Sequence, residues 1–418
     1  MVKARGNIRW SIGILLFFVS ALNYLDRQVL SVIAPTIQKE LNLSEIDYSY
    51  ITSSFLLSYT LMYAVSGYLA DKWGTRKSLL LFSSGWSVAN ILHGFAKNLV
   101  QFCGFRFLLG ATESGNFPAG VKAAAEWFPM KERALAIGML NAGSSVGAAL
   151  AIPIVSILTI TWGWQSAFII TGLMGFIWVY FWWRFYYPPS THPYISRAEL
   201  DYINSDKEEV VDNNRKISIW KIIRMKSAWG CFIARIFIDP CTYFLIFWIP
   251  KFLQQEQGMS LKDVGLLAWI PYVALALGTI AGGAIPKKLI NNGWSHNKAR
   301  KATMLSASFL VPICCLMIFN STNWNIIIIS IAGVMFGHGL WGNITITAEV
   351  FPKRLQGTLT GLGGTLGGIA SIVTQIIIGW VIQNISYTPI FIVVGGMYLI
   401  TLIGVQFLIG DLGKVIKV

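Results

Sequence analysis

The sequence predicts an all-helical integral membrane protein with twelve membrane-spanning helices in two parallel six-helix repeats. Three observations predict this fold class. The chain is 55% hydrophobic and only 12% charged, apolar stretches of membrane-spanning length recur along it, and several motifs occur twice at nearly constant spacing. Because an average soluble domain carries about 25% charged residues, this composition excludes a soluble globular fold. It equally excludes a disordered chain and a small disulfide scaffold.

Each apolar stretch is long enough to cross the hydrocarbon core of a bilayer, which takes about 20 helical residues. The first stretch follows three basic residues but lacks a small-residue cleavage site, so it is interpreted as a retained helix and not a signal peptide. The predicted spans are 11–33, 48–70, 78–96, 99–121, 134–159, 163–187, 228–253, 263–285, 300–320, 324–347, 357–383 and 387–410.

The net charge of +14 does not indicate a nucleic-acid partner, because the basic residues follow the membrane topology. With both termini in the cytoplasm, most of the 33 Lys and Arg residues lie in cytoplasmic segments, and few lie in outer loops. Cytoplasmic loops of membrane proteins carry such an excess of basic residues. The sequence therefore predicts a multi-pass protein with cytoplasmic termini that contacts anionic lipid.

A single polar segment separates the first six spans from the last six. We therefore predict an N-terminal six-helix bundle at 1–187, a cytoplasmic linker at 188–227 and a C-terminal six-helix bundle at 228–418. Within the linker, Ser196 followed three residues later by Glu199 resembles a capping box and predicts a short helix.

The two halves of the chain repeat each other. The sequence AEWFP at 125–129 recurs as AEVFP at 348–352, displaced by 223 residues, and the basic pair at 76–77 recurs at 300–301. Both copies have the same predicted orientation, which indicates parallel repeats. Transporters built in this way bind their substrate near the middle of the membrane, at the interface of the repeats, and expose it to each side in turn. The repeats therefore predict a transporter.

Several motifs resemble those of a known family. The segment 67–77 after the second span resembles the loop signature of the major facilitator superfamily. NYLDR at 23–27, the segment 105–119 and NAGSSVG at 141–147 resemble the anion:cation symporter family, and are most similar to bacterial hexuronate transporters. The resemblance implies a bacterial inner-membrane symporter that imports a hexuronate such as glucuronate or galacturonate by rocker-switch alternating access. It also implies protons as the coupling ion, no other cofactor and a monomeric protein.

Six ionisable residues lie at membrane depth, where each costs at least ~2.5–3.5 kcal/mol on insertion scales. Arg106 and Glu113 lie seven residues apart on one face of the fourth span, about 10 Å apart along the helix axis. Each of them therefore needs a partner from another helix. Pairing with the adjacent Asp26 and Arg27 of the first span is the simplest arrangement. The six residues are Asp26, Arg27, Arg106, Glu113, Arg235 and Asp239.

The resemblance assigns roles to four of these charged residues. It implies that Asp26 and Glu113 carry protons and that Arg27 holds the substrate carboxylate. A guanidinium suits that task because its donors form a planar fork. Arg106 would either partner an acid or assist the substrate anion, and the sequence leaves both roles open.

Neutral polar side chains are expected to contact the hydroxyl groups of a sugar acid. Tyr59 matches a family position for a substrate-contacting tyrosine. Ser144 stands where galactonate carriers have a glutamine, which argues against galactonate. Further candidates in the second half, for which ordinary helix packing is the alternative, are Tyr243, Trp248, Trp341, Asn343 and Thr345.

Charged residues outside this cluster are candidates for gating or structural roles. Asp71 in the loop signature can pair with a cytoplasmic cation in one conformation only, and Arg76 belongs to the same loop. The second copy of the loop has Pro286 where an acid is expected, so the latch should be asymmetric. Arg235 and Asp239 lie one helical turn apart, and both a structural ion pair and a substrate or gating role remain open.

Two alternatives compete with the hexuronate symporter. The same mechanism could serve another organic anion, such as an aldonate, an aldarate or a sialate. A membrane enzyme or a transporter-derived sensor is disfavoured, because no catalytic motif stands out and the linker is too short for an output domain. None of the five cysteines has CxxC spacing, so neither a metal site nor a disulfide is expected.

Overall fold

A computed structural model describes residues 7–205, 219–342, 345–414 and 416 of the chain. Within these ranges, nine helical segments are long and apolar enough to cross a membrane, judged by length and composition. The predicted all-helical membrane class is therefore confirmed.

The first half of the chain forms seven long helices and one short one. Turns of a few residues connect most of them, as expected for neighbouring antiparallel helices. The helices are α1 (Ile8–Leu41), α2 (Glu45–Trp73), α3 (Thr75–His93), α4 (Leu99–Glu113), α5 (Asn116–Trp127), α6 (Met130–Trp162), α7 (Trp164–Phe185) and α8 (Arg197–Asn204).

The described part of the second half contains ten further helices, several of which are short. They are α9 (Ile219–Ile223), α10 (Lys226–Phe247), α11 (Ile249–Gln255), α12 (Leu261–Leu267), α13 (Ile270–Asn291), α14 (His296–Phe319), α15 (Trp324–Trp341), α16 (Thr345–Val350), α17 (Lys353–Asn384) and α18 (Thr388–Leu408).

Each predicted span coincides with one helix or with two consecutive helices. The fourth, seventh, eighth and tenth spans are each divided in two. Proline contributes to two of these divisions, because Pro250 and Pro271 stand in the first turn of α11 and α13, where the missing N–H costs no hydrogen bond. In contrast, α10 continues through Pro240 and ends only at Phe247.

The helices form two compact units. The first contains Met1–Val29 with Ser58–Arg215, and the second contains Leu30–Leu57 with Lys216–Val418. In the first unit α3 packs against α4, α5 and α7, and in the second α15 packs against α13 and α14, while α10 packs against α17 and α18. Helices α1 and α2 each contribute to both units. The division of the chain at 188–227 stays a prediction from the sequence.

Helix α6 packs directly on the backbone of α1 in the first unit. A Cβ atom at Gly143 would come within 2.1 Å of the Phe17 carbonyl oxygen, and one at Gly147 within 2.0 Å of the Ala21 carbonyl oxygen. Glycine is therefore required at both positions for this close approach. The contact fixes the part of α1 that leads to Asp26 and Arg27.

The predicted linker helix begins at Ser196, whose hydroxyl accepts a hydrogen bond from the Glu199 amide at 3.1 Å. The Glu199 side chain does not complete a capping box with Ser196. It accepts instead from the backbone amides of Ile8 and Arg9 at 3.0 and 3.1 Å. Because Arg9 also binds Glu132 at 2.9 Å, α8 is fixed to the starts of α1 and α6.

Candidate functional site

A buried ion pair joins α1 to α4 in the first unit. The Nε and one terminal nitrogen of Arg27 donate to the same oxygen of Glu113, Oε2, at 3.0 and 2.9 Å. Arg27 is 3% exposed, and Glu113 is fully buried at the end of α4. The pairing between the first and fourth spans that the sequence predicts is present in this contact.

Two tyrosines surround the Arg27 guanidinium. Its carbon lies 4.6 Å from the ring centroid of Tyr24 and 4.9 Å from that of Tyr59. Aromatic faces attract a guanidinium electrostatically and hold it without neutralising its charge. Tyr59 therefore lies beside the cation, and its predicted contact with substrate stays a prediction. Tyr24 was not among the predicted site residues, although it lies within NYLDR.

Asp26 is fully buried and has neutral polar neighbours. The Asn90 amide donates to its Oδ1 atom at 2.8 Å, and the same amide nitrogen lies 2.7 Å from the Thr171 hydroxyl oxygen. Among the described residues, no cation forms an ion pair with Asp26. The two acids predicted to carry protons therefore differ in environment, since Glu113 has an arginine partner and Asp26 an amide.

Arg106 is buried in the same unit as the two acids and is 1% exposed. It donates to the Arg27 carbonyl oxygen at 3.5 Å and interacts electrostatically with both Asp26 and Glu113. The geometry is compatible with both roles that the sequence leaves open for this residue.

This cluster can exchange one anion for another. Its two acids and two guanidinium groups balance in charge inside a low-dielectric region, where Coulomb interactions are strong. A substrate carboxylate that binds Arg27 would compete with Glu113 for the same donors.

Other predicted contact residues have local partners. The Ser144 hydroxyl donates to the Asn141 carbonyl oxygen within α6 at 2.6 Å. Tyr243 stacks on Phe247 with ring centroids 5.8 Å apart. Asn343 lies outside the described residues.

The remaining candidates of the second half are held by protein partners. The Trp248 indole donates to Gln375 Oε1 at 2.7 Å. Trp341 is fully buried and packs edge-on against Tyr398. The Thr345 hydroxyl donates to the Gly342 carbonyl oxygen at 2.8 Å. Trp341 and Thr345 also share a partner, because one terminal nitrogen of Arg300 donates to the Trp341 carbonyl oxygen and to the Thr345 hydroxyl.

Arg235 and Asp239 form the ion pair that their spacing permits, at 2.9 Å along α10. A Cβ atom at position 367 would lie 2.3 Å from the Asp239 carboxylate oxygen, so Gly367 of α17 provides the space for this pair. One turn away, Thr242 and Tyr398 flank His338, at 3.0 Å from its Nε2 and 2.7 Å from its Nδ1 respectively. These contacts do not distinguish a structural from a gating role.

The two loop copies have different partners, and the asymmetric latch stays a prediction. In the first copy, Asp71 pairs with Lys122 at 2.9 Å, and Arg76 donates to the Trp183 carbonyl oxygen at 2.6 Å. In the second copy, Arg300 pairs with Glu349 at 3.0 Å beside a cavity of about 350 Å³. Because its terminal nitrogens also donate to backbone carbonyls, Arg300 acts as a structural brace.

Among the described residues, no group of three His, Cys, Asp or Glu side chains is placed to hold a metal ion. The five cysteines are free thiols.

The chain belongs to the Major Facilitator Superfamily, whose family profile matches residues 16–375. It is therefore a multi-pass membrane transporter and not an enzyme.

Among curated relatives, the chain is 32% identical to a "Probable galactarate/D-glucarate transporter" of Escherichia coli, a match covering 99% of this chain and 97% of the relative. It is also 32% identical to the "Hexuronate transporter" of Escherichia coli, over 94% and 92% of the two chains. A "Galacturonate transporter" of Dickeya chrysanthemi is 35% identical over 68% and 83%. These relatives all transport sugar acids.

Solved structures support the fold. A D-xylose-proton symporter superimposes with a TM-score of 0.75 and 14% identity, covering 97% of this chain and 99% of that chain. A bacterial homologue of the human lysosomal transporter Spinster gives a TM-score of 0.72 at 18% identity, covering 97% and 96%. At these identities the comparison concerns architecture alone.

Proposed function

We propose that this protein imports a sugar acid together with protons across the bacterial inner membrane, and that its substrate is a hexuronate such as glucuronate or galacturonate. The observation that carries the proposal is the buried Arg27–Glu113 pair beside Asp26. Burying such charges rarely adds stability over apolar packing, so a role in transport explains their presence better than a structural role. The sugar-acid relatives support the substrate class.

The proposed cycle assigns one role each to Arg27, Glu113 and Asp26. A substrate carboxylate binds the Arg27 guanidinium, and Glu113, displaced from it, takes a proton. Asp26 takes a second proton in its neutral polar surroundings. The two halves then rock to expose the site to the cytoplasm, where the anion leaves Arg27 and both acids lose their protons. With more than one proton for each monoanionic substrate, transport moves net positive charge inward.

An aldarate is the second candidate substrate. The galactarate/D-glucarate relative matches the chain at the same 32% identity as the hexuronate relative and covers more of it. An aldarate has a carboxylate at both ends, whereas a hexuronate has one. Competition between the two classes in one uptake assay distinguishes them directly.

The test is uptake of labelled glucuronate into proteoliposomes with an imposed inward proton gradient. We expect accumulation that a protonophore abolishes and that unlabelled galacturonate inhibits more strongly than glucarate or galactarate. Stronger inhibition by the aldarates would overturn the hexuronate assignment and keep the sugar-acid class. Uptake that is indifferent to the gradient would overturn proton coupling.

A second buried ion pair lies within the second unit, where α2 meets α11. Lys251 pairs with Glu45 and is itself 0% exposed. Its ammonium lies 4.5 Å from the Tyr48 ring centroid and 4.9 Å from that of Trp248. Because α2 belongs to the first six spans and α11 to the second six, opening of the predicted outer side by rocking requires this pair to separate.

We therefore expect Lys251→Met to favour an open outer side. The readout is the rate at which a membrane-impermeant maleimide labels the thiol introduced by Thr52→Cys, in a chain whose native cysteines are replaced. Labelling should accelerate about tenfold, which corresponds to about 1.4 kcal/mol in the opening equilibrium. The exposed lysine of the neighbouring helix provides the control, since Lys262→Met should leave the rate unchanged. Equal labelling rates in the native protein and in Lys251→Met would contradict a role of the Lys251–Glu45 pair in closing the outer side.

A further inference from the structure

A chain of hydrogen bonds reaches Asp26 through α3 from α7. The Asn90 side-chain nitrogen donates to Asp26 Oδ1 at 2.8 Å and lies 2.7 Å from the Thr171 hydroxyl oxygen. That hydroxyl in turn donates to the Ala167 carbonyl oxygen at 2.8 Å, which fixes it as the acceptor for Asn90. Asn90, Thr171 and Asp26 are all fully buried. Asn90 and Thr171 were not among the predicted site residues.

The charged and titratable groups around Asp26 come from three helices. Glu113 and Arg106 of α4 interact with it electrostatically, and Arg27 follows it on α1. On α3, His93 lies one turn from Asn90 and interacts with Arg106. Arg27 is bound to Glu113 instead of Asp26. The Asn90 amide is therefore the direct donor to one Asp26 oxygen, while the other oxygen, Oδ2, has no hydrogen-bond partner among the described residues.

We propose that Asn90, held by Thr171, is a positioning residue that sets the pH at which Asp26 exchanges its proton. This inference rests on the proposed proton-coupled function. An N–H donor stabilises a carboxylate more than a protonated carboxyl group, because the bond to the ionised form is charge-assisted. Asn90 donates to Oδ1 and leaves Oδ2 open for the proton.

The test is the pH profile of substrate counterflow, with equal pH on both sides of the proteoliposome membrane. Asn90→Leu keeps a similar volume and removes the donor. We expect its profile to shift to higher pH by about one unit, the effect of losing one hydrogen bond to a charged group. Thr171→Val should shift the profile in the same direction by less, and Thr171→Ser, which keeps the hydroxyl, should restore the native profile.

The matched control is Asn116→Leu. Asn116 is also a fully buried amide that binds α1, but it donates to the Ser20 hydroxyl, at 3.0 Å, and not to an acid. Its loss should alter the amount of folded protein without moving the pH profile. An Asn90→Leu profile equal to the native one, or equal shifts for both amide variants, would overturn the proposal.

The failure of this inference can be distinguished from failure of the proposed function. If native protein shows no gradient-driven uptake, proton coupling itself is wrong, whatever Asn90 does. If native protein is coupled and its pH profile is insensitive to Asn90 and Thr171, only the positioning role is wrong. Should Asn90→Leu fail to fold, the comparison of Thr171→Val with Thr171→Ser still decides the question.

Discussion

Glu113→Gln should lower gradient-driven accumulation of the sugar acid about tenfold for each unit of the pH gradient, while counterflow exchange persists. Glutamine keeps the shape of the side chain but cannot take up or release a proton. Arg27 then loses its anionic partner and stays available to a substrate carboxylate in both orientations of the carrier. For each transported proton, a gradient of one pH unit supplies about 1.4 kcal/mol, or a tenfold concentration ratio. The variant should lose the tenfold part of the substrate concentration ratio that the Glu113 proton contributes.

The control is a carboxylate outside the cluster. Glu132 pairs with Arg9 at 2.9 Å near the start of α6, so Glu132→Gln removes an ion pair without touching the site. We expect it to accumulate substrate as the native protein does. Accumulation at the native level by Glu113→Gln would mean that Glu113 is structural and that the proton travels elsewhere. Loss of counterflow as well would mean that the residue is needed for exchange itself.

The membrane-spanning segments could be predicted from the sequence because length and hydropathy alone define them. The breaks within four of the spans were harder to predict. Glu113 ends α4 just before Ser114 and Gly115, inside a stretch that hydropathy treats as continuous. Pro240 lies inside the continuous helix α10 and not at a break. A membrane helix can continue through a proline because its neighbours satisfy the freed backbone groups, and hydropathy carries no information on such contacts.

The charged half of the site followed from the cost of burying ions, which makes Arg27 and Glu113 conspicuous in any apolar span. The neutral polar residues around Asp26 could not be predicted in this way. Asn90 and Thr171 are ordinary residues of membrane helices, and their roles depend on contacts between α1, α3 and α7. The spacing within one helix shows which residues share a face, but not which helix lies opposite.

Arg27→Lys should strongly reduce both accumulation and counterflow. We expect the transport rate at fixed substrate concentration to fall about 10- to 100-fold. Lysine keeps the charge but replaces a planar fork by a single ammonium. Two donors of Arg27 converge on Glu113 Oε2, and two tyrosine rings hold the guanidinium plane. Losing one charge-assisted hydrogen bond costs about 1.5–3 kcal/mol, which is about 10- to 100-fold. The measurement is initial uptake and exchange in the same proteoliposomes.

Arg106→Lys decides between the two roles left open for that residue. If Arg27 binds the substrate, Arg106→Lys should retain counterflow and change mainly the pH profile, because Arg106 interacts electrostatically with both acids. If Arg106→Lys loses counterflow while Arg27→Lys retains it, the substrate anion binds Arg106 and the Arg27–Glu113 pair serves the proton. The double variant Arg27→Lys, Glu113→Gln adds an internal check: residues that act as one pair give non-additive effects, whereas independent residues give the product of their single effects.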